Sequence, residues 1–336
     1  MSARRVLVTG GCGFIGSHFL RHLLGEGGGV EVVNLDLLTY AASPANVAEH
    51  AGHPRYRFQQ GDICDPAAVR EAMAGCDAVV HFAAETHVDR SLLDAKPFVR
   101  SNVEGTLCLL AAAHELGVER FLHMSTDEVY GDIEAPRLAV EDDPLAPRSP
   151  YAASKAGAEL QCRAFAASYG LPVVIARGSN VYGENQHPEK LIPLFTSSAL
   201  RGEPLPVYGD GRQRRDWTYV GDLCEALLVL LERGRPGEAY NITAEDVHEN
   251  LEVVELLLAT LGRERSLVRH VKDRPGHDRR YAMRAARMRA LAWRARSPFA
   301  ETLARTVRWY AEHPGWWQEL RGGAFADYYR LQYGRC

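Results

Sequence analysis

The sequence predicts an α/β protein: a doubly wound parallel sheet followed by a smaller C-terminal lobe. Three observations carry that reading. Short β-branched runs alternate with segments of helical apolar spacing through the first half of the 336 residues, and such alternation places parallel strands between crossover helices. A glycine-rich turn separates the first strand from the first helix. After Arg177 the rhythm changes, and Gly and Pro punctuate the chain as far as Gly211.

Arg5-Val6-Leu7-Val8-Thr9 reads as the first strand. The turn Gly10-Gly11-Cys12-Gly13-Phe14-Ile15-Gly16 follows, then a helix over 14–24 that residues 25–29 bring to an end. Glycines at 10, 13 and 16 let the turn close and let a pyrophosphate approach the backbone, while the helix N-terminus offers free N–H groups. The second strand, 30–36, ends at Asp36, 20 residues after Gly16. A carboxylate there can accept from ribose hydroxyls. The unit is therefore Rossmann-like, and Gly10, Gly13, Phe14, Ile15, Gly16 and Asp36 are candidate dinucleotide ligands. The charge of Asp36 would repel a 2′-phosphate, and no base follows in Leu37, Leu38 and Thr39, so NAD is expected over NADP. Leu38 and Thr39 are counted with the same site. Further strands are expected at 56–59, 78–82, 120–125 and 173–177, with helices at 66–74, 99–116 and 154–169. Asp62-Ile63 follows the third strand. Asp62 could hold the adenine edge or cap the helix that starts at Pro66, and both readings stand.

Between residues 178 and 211 one helix is clear, Leu191–Arg201. Residues 217–231 resume a strand-like and then a helical pattern, and from Asn241 the helices read as basic and the segments as short. The dinucleotide domain is expected over 1–177, with 214–243 returning to it, and the substrate lobe over 178–336. The aromatic stretch 316–336 reads as one packed C-terminal helix rather than a binding element.

Net charge is −4 with a pI near 6.4, which gives no nucleic-acid footprint. No apolar run is long enough to span a bilayer. The chain start runs straight into a strand, so no signal peptide is expected. Cysteines stand at 12, 64, 76, 108, 162, 224 and 336 without a CxxC pair. They read as reduced thiols of a cytoplasmic protein, with no metal site.

Tyr151 and Lys155, at i and i+4, share a helix face. An ammonium and a bound nicotinamide would lower the phenol's affinity for its proton. The phenolate could then take a hydroxyl proton while hydride leaves the same carbon. Ser125-Thr126 closes an apolar strand, and Asp127 and Glu128 follow it, at the strand end where ligands of parallel sheets lie. Neighbouring carboxylates can be pushed apart in pKa, one protonated as acid and one ionised as base. That pair suits elimination of water across adjacent carbons, although adjacent acids also cap turns.

The chain resembles the extended short-chain dehydrogenase/reductases, and within them the dTDP-glucose 4,6-dehydratases. Segments that carry the resemblance are Gly10 to Ser17; Leu35-Asp36 with Leu38-Thr39-Tyr40-Ala41; His81-Phe82-Ala83-Ala84-Glu85-Thr86-His87-Val88-Asp89-Arg90-Ser91; Ser125 to Gly131; Ser149 to Lys155; His187 to Pro193; Arg215-Asp216-Trp217; and Asp273-Arg274-Pro275-Gly276-His277-Asp278-Arg279-Arg280-Tyr281. The resemblance implies that Tyr151 is the base while hydride passes from sugar carbon 4 to NAD. It further implies that Glu128 removes the carbon 5 proton, that Asp127 protonates the departing carbon 6 hydroxyl, and that hydride returns to carbon 6. Thr126 would hydrogen-bond the carbon 4 hydroxyl, and Lys155 would hold the nicotinamide ribose. Asp62, Ile63, Phe82, Ala83 and Ala84 would complete the cofactor site. Thr86, Asn180, Glu189, Lys190, Leu191, Pro206, Tyr208, Arg215, Asn250 and His277 would surround the nucleotide-diphosphate sugar, with Arg215 the best diphosphate ligand. A homodimer through helices 99–116 and 154–169 is also implied.

The chain departs from the family pattern at Val181, Glu184, Leu37 and the Asn241-Ile242-Thr243-Ala244 turn. These changes place the question of base and sugar selectivity near Val181 and Glu184. Rival readings are dehydration of UDP- or another NDP-sugar, 4-epimerisation, UDP-glucuronate decarboxylation, and a NAD-sensing protein without catalysis.

Overall fold

The computed structural model describes residues 4–25 and 29–334. The chain start, Glu26 to Gly28 and Cys336, on which parts of the sequence reading fall, lie outside them. Seven parallel strands form the main sheet: β1 (Arg5–Thr9), β2 (Glu31–Asp36), β3 (Tyr56–Gln60), β4 (Ala78–His81), β5 (Arg120–Thr126), β6 (Val173–Gly178) and, further along the chain, β10 (Ala239–Ile242). Their spatial order is β10-β6-β5-β4-β1-β2-β3. The order reverses between β1 and β4, and the crevice that opens outside such a reversal is where ligands bind.

The β-branched runs become strands because both faces of the sheet are covered. Val6 and Val8 face a core formed with helices Phe14–Leu24 and Val220–Arg233, and Leu7 faces the opposite core with helices Pro66–Met73 and Gly105–Glu115. The period of two along the strand thus meets apolar partners on each side.

Several boundaries differ from the sequence reading for local reasons. The helix carrying Tyr151 runs Pro150–Tyr169, starting four residues early, because the Ser149 hydroxyl accepts the Ala152 N–H at 3.1 Å and Pro150 takes the first turn. The expected helix at 99–116 is preceded by Lys96–Phe98 and begins as a π-helical segment, Val99–Glu104, before continuing as Gly105–Glu115. Asn250–Leu261 carries acids and no bases, contrary to the reading of basic helices. The aromatic terminus is two helices, Pro314–Leu320 and Gly323–Tyr333, with Gly322 at the break.

A three-stranded sheet joins β7 (Asn180–Tyr182), β9 (Arg214–Tyr219) and β11 (Val247–Glu249). β8 (Leu205–Tyr208) pairs with β12 (Val268–Val271). Helices Leu191–Arg201, Asn250–Leu261 and Phe299–Glu312 enclose a third core around Trp217, Leu257 and Val307. Of residues 214–243, β10 adds to the main sheet and Val220–Arg233 packs beneath it, while β9 belongs to the small sheet. Among the described residues no helix is long and apolar enough to cross a membrane.

Candidate active site

Two adjoining cavities open at the carboxyl ends of the main strands. The first, of about 290 Å³, is lined by Gly10, Gly13, Phe14, Ile15, Gly16, Asp36, Thr39, Asp62, Ile63, Phe82, Ala83, Ala84, Thr86, Thr126, Asp127, Glu128, Tyr151 and Lys155. The second, of about 160 Å³, is lined by Leu191, Pro206, Tyr208, Arg215, Asn250 and His277. Glu128, Asn180, Glu189 and Lys190 line both.

The dinucleotide end is shaped by backbone. Gly10 has φ +72°, and a Cβ there would lie 2.6 Å from the Ala83 nitrogen; one at Gly16 would lie 2.2 Å from the Gly10 carbonyl oxygen. Both positions keep a shallow cradle open at the helix N-terminus. Asp36 Oδ2 accepts the Cys12 N–H at 2.9 Å and Oδ1 the Leu38 N–H at 2.8 Å. These bonds oppose the effect of burial, which raises its pKa, and its remaining lone pairs are available to hydroxyls. Leu38 contributes through its backbone: it stands at φ 58° and its side chain packs on the core, outside both cavities. Asn34 was not anticipated. Its Oδ1 accepts the Gly11 N–H at 3.0 Å, and a polar side chain inside the run Val32-Val33-Asn34-Leu35 was a readable signal.

Asp62 does not cap the helix at Pro66; Asp65 does, accepting the Ala67 N–H at 2.9 Å. Asp62 instead accepts the Cys64 N–H at 2.9 Å and pairs with Arg100 at 2.6 Å. These contacts hold its carboxyl below the ordinary value against its partial burial.

At the reacting centre, Lys155 Nζ donates to the Met124 carbonyl at 2.7 Å. Burial pulls its pKa down to about 8, with the Glu159 carboxylate opposing. Tyr151 is hydrogen-bonded to Thr126, but burial and then the Glu128 charge push its pKa up. The expected depression by Lys155 is therefore absent among the protein's own groups, because the ammonium is turned to Met124 and the phenol is fully enclosed.

Thr126 orders the two carboxylates. Its hydroxyl donates to Asp127 Oδ1 at 3.1 Å and accepts the Glu128 N–H at 3.3 Å. Asp127 is 4% exposed, with Oδ2 buried and unpartnered. Burial, then the neighbouring Glu128 charge, pushes its pKa well above the carboxylate range. Glu128 is also raised by burial, but Arg274, Lys190 and Arg215 pull it back. Both carboxyls are thus raised, Asp127 well above its ordinary value, while the charges of three cations oppose the rise at Glu128.

Behind this centre lies a fully buried ion pair. Arg177 Nε meets the Glu159 oxygens at 3.0 and 3.1 Å and its NH2 meets Oε2 at 2.6 Å. Ser125 donates to Glu159 at 2.5 Å, and Arg177 donates to the Tyr130 hydroxyl at 2.5 Å. The pair ties the helix of Tyr151 and Lys155 to the turn of Asp127 and Glu128. Removing one partner of such a pair costs about 3–5 kcal/mol.

In the second cavity Arg215 lies 4.2 Å over the Tyr281 ring and donates to the Asp278 carbonyl at 2.9 Å. His277 meets Asp273 at 2.5 Å, and burial, with the charges of Arg274 and Arg215, lowers its pKa to about 4, so it is neutral. Asn180 and Asn250 each keep a buried Oδ1 without a partner. Lys190 donates to the Thr86 carbonyl at 2.6 Å. Glu189 is knitted in more tightly than a free ligand: Arg90 meets it at 2.9 Å and Tyr40 donates to it at 3.0 Å. Asp89, Arg274 and Tyr281 were quoted in motifs but not singled out. Asp89 accepts from Tyr208 at 2.8 Å and Tyr328 at 3.0 Å and pairs with Arg274 at 3.2 Å. The C-terminal segment thus borders the site, and Tyr333 lines it. Glu184 lies in neither cavity; its carboxylate accepts from Tyr219 at 2.8 Å and pairs with Arg305 at 3.3 Å. Val181 lines the first cavity alone.

Residues 6–243 match the NAD dependent epimerase/dehydratase family. A dTDP-glucose 4,6-dehydratase from Streptomyces griseus is 51% identical over 318 residues, covering 94% of this chain and 96% of the relative. The crystal structure of DesIV, a dTDP-glucose 4,6-dehydratase from Streptomyces venezuelae with NAD bound, superposes with a TM-score of 0.92 at 50% identity, covering 94% of this chain and 99% of that one. The UDP-glucose 4-epimerase of Thermus thermophilus, also in complex with NAD, reaches 0.86 at 33% identity, covering 92% and 99%. With the glycine cradle, the strand reversal and these similarities together, the chain belongs to the NAD dependent epimerase/dehydratase family.

Proposed function

We propose that this protein is a NAD-dependent dTDP-glucose 4,6-dehydratase, which removes water from the nucleotide sugar to leave the 4-keto-6-deoxy product. The observation that carries this reading is the carboxylate pair beside Tyr151: Asp127 buried with its pKa pushed well up, and Glu128 sharing a cavity with Arg274, Lys190 and Arg215, whose charges oppose the rise in its own. Epimerisation at carbon 4 has no use for such a pair.

NAD, held by the Gly10–Gly16 cradle, Asp36 and Lys155, supplies the acceptor and donor of hydride. Tyr151 takes the carbon 4 hydroxyl proton, with Thr126 holding that oxygen. The resulting ketone acidifies carbon 5, Glu128 takes its proton, and Asp127 gives a proton to the leaving carbon 6 hydroxyl. Arg215, Arg274, Asn250 and His277 hold the diphosphate end, with Arg215 and Arg274 carrying the charge that matches it. Thr86, Asn180 and Lys190 hold the sugar, Leu191, Pro206 and Tyr208 the nucleoside, and Glu189 fixes Lys190 and Arg90 around it. A second copy of the chain would pack on the helices Gly105–Glu115 and Pro150–Tyr169, whose Leu107 and Leu160 are exposed. The six described cysteines are unpaired, which suits a reducing cytoplasm.

Incubation with dTDP-glucose and, separately, UDP-glucose tests the reading. The expected result is a keto product one water lighter, formed faster from dTDP-glucose. An isomer of unchanged mass would overturn it in favour of epimerisation.

A further inference from the structure

Glu128 stands at the head of a row of polar side chains that leads to the partly exposed Arg148. The Tyr281 hydroxyl lies 3.4 Å from Glu128 Oε2 and donates to Asp278 Oδ2 at 2.6 Å. The other oxygen of Asp278 meets Arg148 at 3.2 Å, and Arg148 meets Asp132 at 3.5 Å. Along this row the side chains are 4% exposed at Asp278, 49% at Arg148 and 27% at Asp132. Tyr281 itself is 3% exposed, and the Arg215 guanidinium 4.2 Å over its ring fixes its place. A phenol with one neighbour to donate to and another to accept from passes a proton without changing its own charge. Its contact with Glu128 is long for an O–H···O bond.

We propose that Tyr281 and Asp278 form a proton relay connecting Glu128 to solvent beside Arg148. The proposal rests on the dehydratase reading, in which Glu128 takes the carbon 5 proton. The C5–H bond breaks and its proton joins a Glu128 oxygen. Protonated Glu128 then donates to the Tyr281 oxygen as the Tyr281 proton moves to Asp278 Oδ2, and Asp278 releases a proton to water. The reverse passage brings a solvent proton to Glu128 and from there to carbon 5 when hydride reaches carbon 6. No electrons move along the row. Tyr281 acts through Glu128 and reaches no reacting atom of the sugar.

The test is turnover of dTDP-glucose in D₂O, stopped at low conversion, with substrate carrying deuterium at carbon 4 in a parallel run. The label at carbon 5 is read by NMR. Wild type is expected to place solvent deuterium at carbon 5 in most of the product. Tyr281→Phe is expected to lose most of that label and return the original hydrogen, because the proton on Glu128 has no exit. Asp278→Asn gives the same loss and serves if the Phe variant does not fold. A role of Tyr281 in packing alone would slow turnover without moving the isotope at carbon 5. Equal labelling in wild type and both variants would overturn the relay, as would retention of hydrogen at carbon 5 by wild type. Failure of the carbon 4 label to appear at carbon 6 would instead overturn the dehydratase reading itself.

Discussion

The two cavities share four lining residues, yet they are built from different materials. The dinucleotide end of the first is shaped by backbone: a glycine turn, strand ends and N–H groups fixed by Asn34 and Asp36. The second is made largely of polar and charged side chains drawn from distant segments and held in pairs, Asp89 with Arg274, Glu189 with Arg90 and Asp273 with His277. A backbone site is broken by added volume. A side-chain site is broken by loss of a particular donor set.

The largest expected effect breaks the first cavity with carbon alone. Gly16→Val places a Cβ 2.2 Å from the Gly10 carbonyl oxygen, and the purified variant should retain no NAD, as measured by released cofactor per chain. Retention equal to wild type would show that the cradle is less tight than its geometry. Next, Arg215→Lys keeps the charge and removes the planar donor set. The loss of a charged hydrogen bond is worth about 1.5–3 kcal/mol, so KM for the nucleotide sugar should rise by roughly 10- to 100-fold, with NAD content unchanged. A fall in NAD content instead would erase the distinction between the cavities.

The smallest effect concerns stability. The charges of His87, His187, Lys190 and Arg90 outweigh burial at Glu189 and hold its pKa at about 2, below the ordinary 4.5. A carboxylate depressed on folding stabilises the protein above its unfolded pKa, and that contribution is lost as pH falls from 4.5 towards 2. Glu189→Gln should therefore flatten the acid side of the urea midpoint against pH and leave its slope near neutrality alone. An unchanged acid limb would mean that Glu189 carries no such linkage.

The same contrast explains what was legible in the sequence. The parallel sheet and the cradle were readable because Gly10, Gly13, Gly16 and Asp36 lie within one strand–turn–helix–strand unit, where spacing carries geometry. Tyr151 and Lys155 were readable because one helical turn joins them. Asp278 and Tyr281 lie some 150 residues beyond Glu128, and nothing local to either segment says that they meet. Their neighbours Arg215 and His277 were found through resemblance alone. Two further positions needed the structure for the same reason. Asp62 and Asp65 compete for one cap within three residues, and only the N–H directions decide for Asp65. Glu184 marks a departure from the family pattern near which selectivity was expected, but Tyr219 and Arg305 hold its carboxylate outside both cavities.

On the dehydratase reading, hydride transfer and loss of water are carried out by separate groups in one site. A single turnover of Glu128→Gln with dTDP-glucose, set beside Tyr151→Phe, tests it most directly. Glu128→Gln should form NADH at an appreciable rate while loss of water falls by about 10²- to 10⁴-fold, the usual contribution of a general base; Tyr151→Phe should form almost no NADH. Equal loss of NADH formation in the two variants would contradict the account.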